Sequence, residues 1–150
     1  MCPPNVLPMS KFKEILNRYH RAILIKVDIP LSELPGGSEE KEEHPGTPTA
    51  EYMNAVKDAK KRLNEIVCRV ESLCIEKGYH FAAGLVGGSC PLCEECVGIK
   101  SGLRCRHPFK ARPAMEAMGI DVTGTARKAG LHLSFGQNES RSWVGLVLVS

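Results

Sequence analysis

A run of cysteines constrains this chain more than any other feature. Four of its seven lie between Gly87 and Pro113, in GGSCPLCEECVGIKSGLRCRHPFKARP. Cys90, Cys93 and Cys96 follow the pattern C-x2-C-x2-C, and Cys105 comes further on, followed by Arg106, His107 and Pro108. A thiolate is a soft, charged ligand. Three of them at every third residue can turn inward around one inorganic centre if the backbone curls into a tight loop.

The spacing separates the candidate centres in part. Structural zinc is usually held by two separated C-x2-4-C knuckles, each wrapping one edge of a tetrahedron. Here there is one knuckle too many and one lone partner. A [4Fe-4S] cube takes a thiolate at each of four corners, and C-x2-C-x2-C with a remote cysteine near a proline is the ferredoxin-type solution. The pattern therefore favours an iron–sulfur cluster held by Cys90, Cys93, Cys96 and Cys105, with zinc as the alternative. Lys100, Arg104, Arg106, Lys110 and Arg112 crowd the same segment, and Gly87, Gly88, Gly98 and Gly102 leave backbone N–H groups free to approach sulfur. Cations and N–H donors stabilise such a centre. Any one of these basic residues could equally be ordinary solvated surface.

Composition sets the outer bounds. A chain of 150 residues suits one domain with its own core, residues 1–150. A net charge of +3 is too small to imply a nucleic-acid partner. The longest apolar runs, such as Val144 to Val149, are too short to span a bilayer. Met1 is followed at once by Cys2, Pro3 and Pro4, which is not a secretory signal, so seven cysteines read as reduced thiols or ligands. The cytoplasm is the expected compartment.

Taken in order, Ser10 should cap a first helix with an apolar stripe of Phe12, Ile15, Leu16 and Tyr19. Residues 21–29 read as a strand, and the run Ala22 to Ile25 suggests a central one buried on both faces. From 30 to 48, proline, glycine and the acids Glu39, Glu40, Glu42 and Glu43 predict a mobile surface loop. His44 among those acids is read as part of it rather than as a metal ligand. A long helix should run from Thr47-Pro48 to Gly78, with Val56, Ala59, Leu63, Ile66, Val70 and Leu73 on one face. Cys68 and Cys74 in that helix are six apart, which keeps them from converging on one metal. Residues 79–86 form a second strand, with His80 on its face. Pro113 to Met118 makes a turn or two of helix closed by Gly119, and Asp121 caps another that ends at Gly130. The tail reads as a β-hairpin turning at Gly136, Gln137 and Asn138, with Trp143 to Val149 as an inner strand. The expected fold is α/β: a two-layer sandwich of helices on a small mixed sheet, with a cysteine-rich loop and a C-terminal hairpin.

The combination GG-x-C-x2-C-x2-C, then C-R-H-P, ARPAMEAMGIDV and KAGL, with a closing G-x-N and VGLVLV, resembles a prokaryotic family of predicted metal-binding proteins known as a domain of unknown function. The resemblance spans nearly the whole chain. It implies that Cys90, Cys93, Cys96 and Cys105 are metal ligands, and that Pro108, Met115, Glu116 and Gly119 belong to the characteristic segment. By their own chemistry Met115 and Ala117 read as core packing and Glu116 as an exposed helix acid. Family members usually carry an upstream cysteine segment before C-P-P, so this chain reads as shortened at its front edge. Cys2 is then a remnant of a second cysteine group.

The resemblance implies metal binding without a reaction. From the site itself, the expected role is electron transfer or redox sensing by a [4Fe-4S] protein whose basic loop docks an acidic redox partner protein. The alternative is a zinc-stabilised binding module without catalysis. An enzyme is less favoured: no H-E-x-x-H or phosphate-binding loop is present, and His107 is the one local base near a thiol.

Overall fold

The apolar run from Val144 to Val149 occupies the middle of the sheet, where a strand is covered on both faces. The computed structural model describes residues 5–30, 50–134 and 140–150. In chain order these form α1 (Met9–Leu16), β1 (Arg21–Pro30), α2 (Ala50–Glu76), β2 (Ala82–Val86), α3 (Val97–Ser101), a 3-10 turn (Glu116–Met118), α4 (Val122–Lys128) and β3 (Ser140–Val149). Strand order is β1-β3-β2, with both pairings antiparallel. Leu24 lies opposite Leu146, and Leu85 lies opposite the same residue from the other side.

Strand alternation sends β3 side chains to two separate cores. Val144, Leu146 and Leu148 join Leu85, Phe12, Met115 and Met118 beneath α1 and the 3-10 turn. Val147 and Val149 join Val86, Leu63, Val67 and Cys74 beneath α2. Helix α2 comes very close to the sheet, and two glycines permit it. A Cβ on Gly145 would lie 2.4 Å from Val67 Cγ2, and one on Gly84 2.6 Å from Val67 Cγ1. Val67, itself fully buried, is thus a knob seated between glycines on neighbouring strands.

The α/β class and the helices on a small sheet are as the sequence predicts. Among the described residues the sheet is antiparallel rather than mixed, with a single isolated parallel bridge from Val86 to Ala114. β1 is an edge strand, not a central one: Ala22 is exposed and Ile23 is 38% exposed. A continuous apolar run marks burial on two faces along part of a strand, and here Leu24 packs into one core and Ile25 and Val27 into the other. Of the expected C-terminal hairpin, the described residues form one strand, β3. Residues 131–134 are not a strand, although Ser142 N–H donates to Ser134 O and Ser134 N–H to Ser142 Oγ.

Helix α1 starts at Met9 with Pro8 at its N-cap, so Ser10 lies inside it and caps nothing. Proline needs no N–H partner at a helix start. On α2 the buried face is Ala59, Leu63, Asn64, Val67 and Cys74, turned from the predicted stripe because Asn64 packs inward to bond the cysteine loop. Gly78 and Gly130 take left-handed φ values past helix ends, and Asp121 caps α4 by accepting from Gly124 N–H at 2.9 Å. Cys2, the acidic loop with His44, Thr47-Pro48 and the turn at Gly136 lie outside the described residues. Among those described, no helix is long and apolar enough to cross a membrane.

Gly145→Ala should cost about 1–3 kcal/mol in urea denaturation, because the new methyl overlaps Val67. In a Val67→Ala background the same change should cost clearly less. Equal costs in both backgrounds would show that Val67 does not limit this approach.

Candidate metal centre

β2 delivers the chain into the cysteine loop through a turn held at both sides. Gly87 N–H donates to Val144 O at 2.6 Å, and a Cβ there would lie 2.8 Å from that same carbonyl. Gly88 adopts a left-handed φ of 78°, and its N–H donates to both carboxylate oxygens of Glu116 at 3.1 Å each. Glu116 is therefore more than an exposed helix acid: it anchors the entry to the loop. Beyond it, Ser89 Oγ accepts from Lys60 Nζ of α2 at 3.1 Å.

Cys90 and Cys93 sit in irregular chain, and Cys96 is the N-cap of α3, a short helix absent from the sequence reading. Gly102, with φ 69°, closes α3 and turns the chain back. Asn5 then secures the far side of the loop. Its Oδ1 accepts from Cys105 N–H at 3.1 Å and its Nδ2 donates to Leu103 O at 3.2 Å. Cys105 Sγ accepts the backbone N–H of His107 at 3.4 Å. The Cys105–His107 adjacency in sequence thus yields a backbone N–H to sulfur bond, a contact that stabilises a thiolate.

The return limb is fastened to α2. Lys110 O accepts from Asn64 Nδ2 at 3.0 Å, with Cys68 Sγ 3.7 Å from the same oxygen. Two residues on, Arg112 pairs through Nε (2.7 Å) and Nη2 with Glu71, whose other oxygen accepts Gly84 N–H at 3.0 Å. The paired side chains are only 18% and 19% exposed. Met115 N–H then donates to Val86 O, and Val86 N–H to Pro113 O, which closes the loop onto the strand that opened it.

Inside this frame Cys90, Cys93, Cys96 and Cys105 line one cavity of about 50 Å³, together with Asn5 and His107. All four are half-buried and free of disulfides. Four thiols match a soft metal in kind and number. Among the described residues, however, no three His, Cys, Asp or Glu side chains form a group that could hold a metal ion. The four thiols share a wall without meeting at a point. Cys93 also lines two outer clefts, one with Glu95 and Arg106 and one, shared with Cys90, with Lys57 and Lys60.

The other two described cysteines, Cys68 and Cys74, do not line this cavity. Cys74 is buried in the core beneath α2. Burial pushes the Cys68 thiol up, the Arg112 charge opposes the rise, and Glu71 and Glu65 add to it. The basic flank divides: Arg104, Arg106 and Lys110 are exposed, whereas Arg112 is committed to Glu71. Asn5, Asn64, Glu71 and Glu116 position the loop from far away in sequence, and no local pattern marks any of them.

A family profile described as a predicted metal-binding protein, DUF2284, matches residues 1–149. Comparison with curated proteins and with solved structures gives no match.

Arg112→Met should lower stability by about 1–3 kcal/mol, since it strands the half-buried Glu71 carboxylate. Adding Glu71→Gln should recover part of that loss, because the amide oxygen can still accept Gly84 N–H. Urea denaturation of the two variants tests this, and an undiminished midpoint in Arg112→Met would remove the ion pair from the account.

Proposed function

The chain belongs to the DUF2284 family of predicted metal-binding proteins, and from that premise we propose that Cys90, Cys93, Cys96 and Cys105 hold a [4Fe-4S] cluster used for electron transfer or redox sensing. The observation that carries the reading is that four cysteines, one remote from the other three in sequence, line one cavity. Such a cluster supplies one-electron redox chemistry at a potential set by the charge, hydrogen bonds and exposure around its sulfurs. The chain supplies one such hydrogen bond and holds the loop around it. The His107 N–H bonds Cys105 sulfur, Asn5 holds the Cys105 backbone, and Glu116 holds the turn before Cys90.

A [4Fe-4S] cube takes one thiolate at each of four corners, and four cysteines on one cavity supply that number; a single tetrahedral ion would draw all four sulfurs to about 2.3 Å from one point. Exposed Arg104, Arg106 and Lys110 beside the cavity suit an acidic face on a redox partner protein. A reducing cytoplasm keeps the free thiols available for the centre.

The test is anaerobic purification, with iron, sulfide and zinc measured alongside the visible spectrum, for the parent and a Cys93→Ala, Cys96→Ala variant. Equal iron and sulfide with a broad sulfur-to-iron absorption, all lost in the variant, is the expected result. Colourless protein carrying zinc would replace this reading with the zinc-stabilised module.

A further inference from the structure

A second cavity lies on the other side of the return limb, away from the cysteines. It has about 510 Å³ of space, within the range of roughly 300–1,000 Å³ that small-molecule sites occupy. Phe12 and Ile15 of α1 form one wall, Ala83 and Leu85 of β2 the floor, and Pro108 and Phe109 the opposite rim. Phe109 is 91% exposed, an unusual place for a phenyl ring unless something covers it. None of the four cavity cysteines reaches this space.

Three polar side chains also line it: Tyr19, Glu71 and Arg112. Their bonding decides what the cavity can take. Arg112 gives Nε and Nη2 to Glu71 and Nη1 to Phe109 O, so its charge is matched inside the protein and does not recruit an anion. Glu71 is matched by Arg112 and by Gly84 N–H, so it does not recruit a cation. The hydroxyl of the half-buried Tyr19, by contrast, has no hydrogen-bond partner among the described residues. Burial, and secondarily the Glu71 charge, push its ionisation up, so it remains a neutral donor. An acceptor seated in the cavity would give this hydroxyl a partner that the described residues do not supply.

We propose that the cavity between α1, β2 and the limb Pro108–Pro113 binds a neutral, mainly apolar small molecule whose single carbonyl- or ether-type oxygen accepts a hydrogen bond from Tyr19. This assignment is independent of the metal. It rests on wall chemistry that the cysteines do not share.

The test uses the neutral naphthyl ketone prodan, whose emission shifts in apolar surroundings, and anilinonaphthalene sulfonate as an anionic probe of similar body. Prodan should bind the parent protein at one site per chain, at least tenfold more tightly than the sulfonate. Ala83→Phe, which fills the floor, should weaken prodan at least tenfold while leaving metal content unchanged. Tyr19→Phe should weaken it by up to about tenfold, the effect of one hydrogen bond. Leu7→Glu, at a rim position already 50% exposed, covers the case in which Ala83→Phe fails to fold, and should weaken prodan at least threefold. Equal binding of the two probes, or prodan affinity unchanged in the folded pocket variants, would overturn the proposal. Because metal content is read separately, a parent protein that binds prodan but carries no iron and sulfide would count against the cluster and not against this site.

Discussion

The half-buried ion pair of Glu71 and Arg112 is the contact on which the architecture around the cysteines depends. It joins three parts that nothing local in sequence connects: the C-terminal end of α2, the free edge of β2 through Gly84 N–H, and the limb that returns from the cysteine loop. An edge strand presents unpaired N–H groups, and here one is satisfied by a carboxylate and the next by Pro113 O. Ion pairs at this depth add little net stability, because desolvation cancels much of the attraction. Their value is specificity. A loop limb with few apolar residues of its own can dock in many registers, and a forked guanidinium facing one carboxylate selects one.

That docking requires α2 to lie close to the sheet, which is where the glycines enter. With side chains at positions 84 and 145, Val67 would be pushed outward, and Asn64 and Glu71 on the same helix would no longer reach Lys110 O and Arg112. Packing of an apolar knob therefore sets the reach of the polar groups. The fold holds the loop mainly by its two ends and by Asn5 across its middle, and the cysteine cavity lies in the span between.

Much of this was legible in the sequence where the signal is local. Gly78, Gly119 and Gly130 end helices and turns as predicted, Asp121 caps α4, and the C-terminal apolar run lies inside the sheet. The four cysteines could be grouped because ligand spacing is itself a local pattern, and they do line one cavity. What escaped is long-range. β1 reads as central because an apolar run does not state which strand lies beside it. Asn64 breaks the expected apolar stripe of α2 because its partner is a backbone carbonyl on another element. Glu116 and Asn5 look like ordinary surface residues until the fold brings Gly88 and Cys105 to them. Positioning residues of this kind act through backbone groups, which carry no sequence signature.

The return limb has a different neighbour on each side, which gives the two proposed sites a physical relation. His107 lines the cysteine cavity, while Pro108 and Phe109 line the apolar one. Between its fixed points at Cys105 and Arg112 the limb has little freedom: Pro108 restricts the backbone, Ala111 N–H donates to His107 O, and Arg112 Nη1 holds Phe109 O. Drawing Cys105 toward a shared centre would therefore move the Phe109 rim as a unit with the loop rather than be absorbed by local bending. A molecule seated against that rim would in turn favour one position of Cys105. Any coupling of the two binding equilibria has the same size in both directions, because linkage makes it reciprocal whichever segment carries it.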